Sequence, residues 1–262
     1  MDDNYQTYLN RLARMTLPEA YKTQVQHIQE SGKFQPDSGK RKAAPFPGYT
    51  LITPPAAEDP HNSAFYSQLE TYQQELLQLP ANQDLLVSLP PASFHLTVAD
   101  LIWDSAFLDA CAKNPQFEQE LKNYIAETFQ EYQQSRNQES KPIIWQLLGL
   151  IVMPRAIGIA LIPNDEECYE KIIQLRRKIY QNPKLIALRI EQHYHFMAHI
   201  TLGYFGAIPS DVDRLSLSNQ LGELNQKWAL NFPEFTISKV ELRKFDDMTN
   251  YYRQPNWPSL DF

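Results

Sequence analysis

Glycine is scarce in this sequence, with 8 residues among 262 against 19 prolines. Neither G-x-x-x-x-G-K-[ST] nor G-x-G-x-x-G occurs anywhere, so P-loop and dinucleotide-binding folds lose the loop that would cradle their phosphates. Cysteine is scarcer still. Cys111 and Cys168 stand far apart in sequence and make neither a zinc ribbon nor a disulfide framework, and two reduced core thiols are expected. Positive charge is in deficit, with a formal net charge of −7. That argues against tracking along long nucleic acid, which needs a basic stripe, but leaves room for a locally positive pocket. The opening segment MDDNYQTYLN lacks the charged-then-apolar pattern of a signal peptide, and a cytoplasmic location is expected. There is no G-x-S-x-G elbow and no motif around either cysteine, which weakens nucleophilic readings.

One hydrophobic stretch is as long as a membrane span. It covers residues 143–163, IIWQLLGLIVMPRAIGIALIP, and is interrupted by Gln146, Pro154 and Arg155. Two buried strands joined at Met153-Pro154-Arg155-Ala156 explain it better, so no membrane association is expected. Hydrophobic residues at 43% and charged residues at 21% describe a chain able to bury a core.

Residues 1–31 read as helices that pack on the body, with a capping-box pattern at Thr16-Leu17-Pro18-Glu19. A turn-rich basic connection follows, and residues 1–45 together form an N-terminal accessory segment. The spacing then predicts a strand over Gly48–Thr53, a helix over Asn62–Leu79, and strands over Leu85–Leu89 and Phe94–Trp103. Residues 105–135 are helical, broken near Pro115, and Arg136–Lys141 is a polar linker. Beyond it come strands at Ile143–Val152 and Ala156–Ile162, a helix over Asp165–Gln181, strands at Leu185–Ile190 and His193–Phe205, a helix over Asp211–Leu230 and a last strand at Phe235–Phe245. The order repeats. A duplicated α+β unit is implied, with two pseudo-symmetric lobes (about 46–140 and 141–262) of mainly antiparallel sheet facing each other across a cleft.

Among six histidines, two are followed two positions later by threonine: His95-Leu96-Thr97 and His199-Ile200-Thr201. Both lie in apolar, strand-like runs. Alternate residues of a strand share a face, so His95 pairs with Thr97 and His199 with Thr201, opposite the core-facing neighbours. A polar pair repeated on one strand face of each lobe needs a wet cleft or a ligand. Phosphodiester cleavage needs a base for the attacking oxygen and an acid for the leaving one, and histidine serves either near neutral pH. Hydroxyls of Thr97 and Thr201 can donate to the non-bridging oxygens. The chemistry that follows is metal-free, with His95 and His199 as the acid/base pair in undetermined order.

The two His-x-Thr motifs resemble those of the two-histidine (2H) phosphoesterase superfamily, which includes RNA 2′,5′-ligase-like proteins and cyclic nucleotide phosphodiesterases. The resemblance covers roughly residues 45–245. The segments KFQPDSGKRKAAPFPGYTLIT, SFHLTVADLIWD and KFDDM are similar to one subgroup, in which Pro-Phe-Pro-Gly-Asn-Thr precedes the first strand; here Tyr49 replaces the Asn. The resemblance implies hydrolysis of a cyclic or 2′,5′-type phosphodiester on a small nucleotide or RNA terminus, without a cofactor, by a protein expected to be a monomer.

Two other readings stand beside it. A duplicated fold could keep the pocket and bind a nucleotide or RNA end without turnover. Alternatively, His193, His195 and His199 would share one face of a regular strand and could hold a metal ion for hydrolysis, with carboxylates completing the shell. If they do not, His195 lies near the cleft behind the catalytic groups and His193 at the solvent-facing strand start. Tyr204 falls on the core-facing Leu202 side if the strand is regular, and is otherwise a supporting residue of the site. Arg155 suits a solvated turn better than a phosphate contact. Tyr251, Tyr252 and Arg253 could stack on a base or pack as a tail. His27 and His61 read as surface residues, and Asp246 and Asp247 would point to opposite faces.

Overall fold

The structure is a computed structural model that describes residues 2–82, 85–135, 142–228 and 233–262. The polar linker at Arg136–Lys141 lies outside the described residues. The N-terminal part comprises α1 (Tyr5–Met15) and α2 (Pro18–Gln24), followed by a hairpin of β1 (Phe34–Asp37) and β2 (Lys40–Ala43) within the expected turn-rich connection. Thr16 closes α1 through its hydroxyl on the Ala13 carbonyl. It does not cap α2, whose N-cap is Leu17. The capping-box expectation fails because two helices abut where one start was read.

Next come β3 (Gly48–Ile52), α3 (Ser63–Leu77), β4 (Leu86–Ser88), β5 (Thr97–Trp103), α4 (Asp104–Lys113) and α5 (Phe117–Gln134). The second half holds β6 (Ile143–Met153), β7 (Ala156–Pro163), α6 (Glu166–Tyr180), α7 (Pro183–Ala187), β8 (His199–Phe205), α8 (Arg214–Trp228), β9 (Glu234–Ile237), β10 (Lys239–Asp247), β11 (Asn250–Tyr252) and β12 (Ser259–Asp261). The apolar run 143–163 is the β6–β7 hairpin, paired in antiparallel register from Trp145–Pro163 to Met153–Ala156. Among the described residues no helix is long and apolar enough to cross a membrane.

Two five-stranded sheets result, and every pairing is antiparallel. One runs β11-β10-β3-β5, with β12 also on β10. The other runs β4-β8-β7-β6-β9. The fold is therefore α+β, with each sheet backed by helices. α3 turns Phe65, Leu69, Tyr72 and Leu76 inward, α6 does so with Cys168, Ile172, Leu175 and Ile179, and α8 with Leu217, Leu221, Leu224 and Trp228. These are the faces that helical periodicity requires.

The sheets exchange strands. β4, from the first half, pairs with β8. β10, β11 and β12, from the end of the chain, complete the sheet of β3 and β5. The single strand expected over Phe235–Phe245 is two strands that part at Ser238. β9 pairs with β6 and β10 with β3, so the chain passes from one sheet to the other at that residue.

Two further expectations are corrected. Leu185–Ile190 is not a strand; Asn182 caps α7 by accepting from the Lys184 amide, and Pro183 occupies the first helical turn. The strand expected from His193 begins only at His199, and residues 191–198 run without regular structure.

Candidate active site

β8 begins at His199, whereas the strand expected from Phe94 begins only at Thr97, so His95 stands two residues before β5. The two rings are nevertheless held in the same way. The His95 Nδ1 lies 2.7 Å from the Ser93 carbonyl oxygen. The His199 Nδ1 lies 2.8 Å from the Met197 carbonyl oxygen. A carbonyl only accepts, so in both rings Nδ1 carries the hydrogen. Both Nε2 atoms are left for chemistry. The supporting carbonyls are each two residues upstream, and 93 and 197 differ by the same 104 positions as the histidines themselves.

Both strands are then bulged at equivalent places. On β5, Leu51 pairs with Ala99 and Ile52 with Thr97, so Val98 is passed over. On β8, Gly158 pairs with Thr201 and Ile157 with Gly203, so Leu202 is passed over. A bulge turns the residue after it to the other face. Thr97 and Asp100 are half-buried while Val98 and Ala99 are buried, and Thr201 and Tyr204 are half-buried while Leu202 and Gly203 are buried. Tyr204 is thus on the His199 side of the strand, contrary to regular alternation. Gly158 permits the close approach that this needs. A Cβ there would stand 2.5 Å from the Ile200 carbonyl oxygen and 3.2 Å from Thr201 Cα.

The rings differ in surroundings. Burial pushes His95 down to about 4, helped by the positive charge of nearby His199 and of Arg243 and opposed by the Ser93 carbonyl. Burial also lowers His199, but the Met197 carbonyl and the Asp100 carboxylate oppose the shift, and Lys33 adds weakly to it. An anion therefore favours the protonated form of His199, while His95 has cations for company.

Several groups around these rings went unread in the sequence. The Tyr251 ring lies on His95 with centroids 4.2 Å apart. Of the two roles weighed for it, stacking on a base or packing as a tail, the structure shows it packed between His95 and Phe245. Arg243, 2% exposed, donates to the Tyr251 carbonyl and grips Glu58 through both terminal nitrogens and Glu241 besides. The hydroxyls of Tyr204 and Tyr251 both lie 3.5 Å from Met248 Sδ, and Lys33 Nζ is 3.4 Å from the Tyr204 hydroxyl. Asp100 had a signal in the sequence: it precedes Tyr204 by the repeat offset.

The three histidines weighed as a metal site are separated. His193 packs against Trp103, with centroids 4.9 Å apart. His195 is exposed and stands beside Asp3 Oδ1 at 3.4 Å. Only His199 is in the strand. Residues 191–198 form no strand, so the three do not share a strand face, and among the described residues no group of three His, Cys, Asp or Glu side chains could hold a metal. Arg155, His27 and His61 are exposed, Cys168 is buried and Cys111 half-buried, and both thiols are free. Tyr49, where the subgroup has Asn, is buried and donates its hydroxyl to Glu118 at 2.5 Å. Asp246 accepts from Tyr252, and Asp247 accepts from the Thr249 amide and hydroxyl within a turn.

The N-terminal segment reaches the site from behind. Asp2 Oδ1 accepts from the Phe196 amide, Tyr8 accepts from the Ala198 amide, and Arg11 donates to the Phe196 carbonyl. These contacts hold the loop whose Met197 carbonyl orients His199. Asp2 is itself paired with Arg176, the two side chains 4% and 5% exposed, and Arg176 also donates to the Val98 carbonyl at the β5 bulge.

Residues 33–139 match the family model described as "2H-phosphodiest: Domain of unknown function (DUF1868)". No curated protein sequence matches the chain. Among solved structures, the conserved protein of unknown function ATU0111 from Agrobacterium tumefaciens is 17% identical, with a TM-score of 0.58 over 89% of this chain and 96% of that one, a likeness of fold. TT0787 of Thermus thermophilus (14% identical, TM-score 0.41, 74% and 86% covered) and a protein described as a phosphoesterase (12%, 0.38, 84% and 100%) are more distant.

Proposed function

We propose, for a chain whose residues 33–139 match the 2H phosphodiesterase family model, that the whole protein is a phosphodiesterase working by two-histidine acid/base catalysis. Its substrate would be a cyclic or 2′,5′-type phosphodiester at a nucleotide or RNA end. The observation that carries the reading is the repeated mount: a histidine with Nδ1 tied to a carbonyl, Nε2 left free, and a threonine two residues on, once in each sheet.

The roles follow from the surroundings. His95 is neutral over the working range, because burial and neighbouring cations hold it near 4. A neutral imidazole with a free Nε2 is a base, and it takes the proton of the attacking water as the oxygen–phosphorus bond forms. His199 has Asp100 to favour its charged form. Its Nε2–H gives a proton to the leaving oxygen as the second oxygen–phosphorus bond breaks. Thr97 and Thr201 donate to the non-bridging oxygens, where charge resides in the transition state. The phosphodiester's own negative charge favours protonation of both rings once it binds, and so readies the acid.

The test is turnover of 2′,3′-cyclic nucleotides in EDTA by wild type, His95→Ala and His199→Ala. Wild-type activity that falls by about 10²–10⁴ in each variant is expected for a general acid and a general base. Wild-type turnover that survives both substitutions, or that vanishes with EDTA, would sink the reading. Retention of the compound without conversion would favour the binding-module alternative.

A further inference from the structure

Lys33 stands in a setting that phosphodiester cleavage alone does not use. It enters from the start of the β1–β2 hairpin, and its ammonium lies 4.9 Å from the Tyr204 ring centroid, 4.7 Å from the Phe46 ring centroid and 3.4 Å from the Tyr204 hydroxyl. Among the described residues no carboxylate pairs with it. Other basic residues are treated differently: Arg41 binds Glu30, Lys42 binds Asp37, and Lys244 binds Glu118. The Lys33 charge is half-buried among aromatic faces and has only a phenol and π-clouds to answer it.

Its place along the cleft can be judged from the strand. Tyr204 lies three residues beyond Thr201, and one residue is taken up by the bulge. At about 3.3 Å per residue the step is roughly 7–10 Å. A phosphate held between the threonines is too small to reach both groups, but one nucleotide unit spans such a gap. The surface between is continuous: Tyr251 on His95, Met248 under both phenols, then Tyr204 and Lys33. On the other sheet, the residue equivalent to Tyr204 is Asp100, which accepts from the Tyr194 hydroxyl at 3.3 Å. The group beyond Thr201 is thus cationic and the equivalent group beyond Thr97 acidic. An elongated substrate with a second anionic group has one orientation that satisfies both.

We propose that Lys33, with the Tyr204 hydroxyl, forms an anion subsite that takes a second phosphate of the substrate, so that the preferred substrate is a nucleotide bearing a terminal phosphomonoester besides the phosphodiester that is cleaved. The subsite rests on the phosphodiesterase reading above for its substrate, and on Lys33 alone for its selectivity. The diester sits between Thr97 and Thr201. The monoester accepts hydrogen bonds from the Lys33 ammonium and the Tyr204 hydroxyl. No bond to the monoester forms or breaks.

The test compares adenosine 2′,3′-cyclic phosphate with the same compound carrying a 5′-phosphate. Wild type is expected to show a KM for the 5′-phosphorylated compound lower by about tenfold or more, the worth of one charge-assisted hydrogen bond. Lys33→Met keeps the aliphatic stem on the rings and should reduce that ratio to near one. Compared below the alkaline limb, where the weak effect of Lys33 on His199 does not count, its kcat on the unphosphorylated compound should not change. Lys33→Arg should restore most of the preference, and equal melting temperatures would show the hairpin intact. A wild-type ratio near one, or a ratio that Lys33→Met leaves untouched, overturns the subsite. If neither compound is turned over, the catalytic reading fails separately. The subsite is then read by binding of the two compounds to wild type and Lys33→Met, and equal binding overturns it.

Discussion

The two histidines of the His-x-Thr motifs have the same bond to a carbonyl, but that carbonyl is held in different ways. Ser93 lies in a short turn at Pro91–Ser93 that closes on itself: the Ser93 amide and hydroxyl both donate to the Pro90 carbonyl, and the Phe94 amide donates to Pro91. The Ser93 carbonyl is set by bonds within five residues of His95, while Phe94 and Leu96 on either side of the ring are tied to Ala56 and Thr53. Met197 lies in a stretch without regular structure, and its neighbours are held by Asp2, Tyr8 and Arg11, more than 180 positions away. The carbonyl of the first mount is set by its own turn, and that of the second by contacts with the N-terminus. The N-terminal segment is therefore part of the candidate site's scaffold, although it lies outside the repeated motif.

Removing a remote anchor should break the second mount and spare the first. Asp2→Ala leaves Arg176 buried with no carboxylate, and loss of one partner of a buried pair costs about 3–5 kcal/mol. It also strips the Phe196 amide of its acceptor. A lower melting temperature and a reduced kcat are expected. The double variant Asp2→Ala/Arg176→Met separates the two effects. With both charges gone, stability should return in large part while kcat stays low, because Phe196 and the loop before His199 remain unanchored. Full recovery of kcat would show that the N-terminus serves stability alone.

The difference between the mounts also explains what the sequence could disclose. The His-x-Thr pairs and their 104-residue offset are visible because each motif is local and lies in an apolar run whose period is plain. Helices α3, α6 and α8 are legible for the same reason. The bulges after Thr97 and Thr201 are not. A bulge depends on which partner strand lies alongside, and alternation alone sends Tyr204 to the core. The anchoring of His199 by Asp2 is equally hidden, since no spacing rule links residue 2 to residue 196. The strand exchange escapes too: Ser238 separates two strands of different sheets within one continuous apolar run. Leu185–Ile190 misleads for a simpler reason. Its apolar residues fit a strand, but Asn182 and Pro183 set a helix start just before it.

A smaller effect sharpens the electrostatic side of the comparison. On the proposed roles, His95 must be neutral to act as base and His199 protonated to act as acid in the free protein. His95 ionises near 4, and His199 below its ordinary 6.5. The pH profile of kcat/KM, which reports the free enzyme, should therefore rise through about 4 and fall again below 6.5. Asp100 opposes the depression of His199. Asp100→Asn should therefore move the alkaline limb to lower pH and leave the acid limb in place. Movement of the acid limb instead would reverse the roles of the two rings.

The smallest effect belongs to the local mount. Ser93→Ala removes the hydroxyl that donates to the Pro90 carbonyl at 2.7 Å. The Ser93 amide still donates to that same carbonyl, so no buried acceptor is orphaned. The carbonyl that receives His95 Nδ1–H belongs to the backbone and survives the substitution. A net loss of about 1 kcal/mol or less is expected from the hydroxyl, with kcat and the acid limb of the pH profile unchanged. Set beside Asp2→Ala, it tests whether distance in sequence governs fragility here. If Ser93→Ala lowered kcat as far as Asp2→Ala does, His95 would depend on its serine side chain, and the self-contained character of the first mount would be refuted.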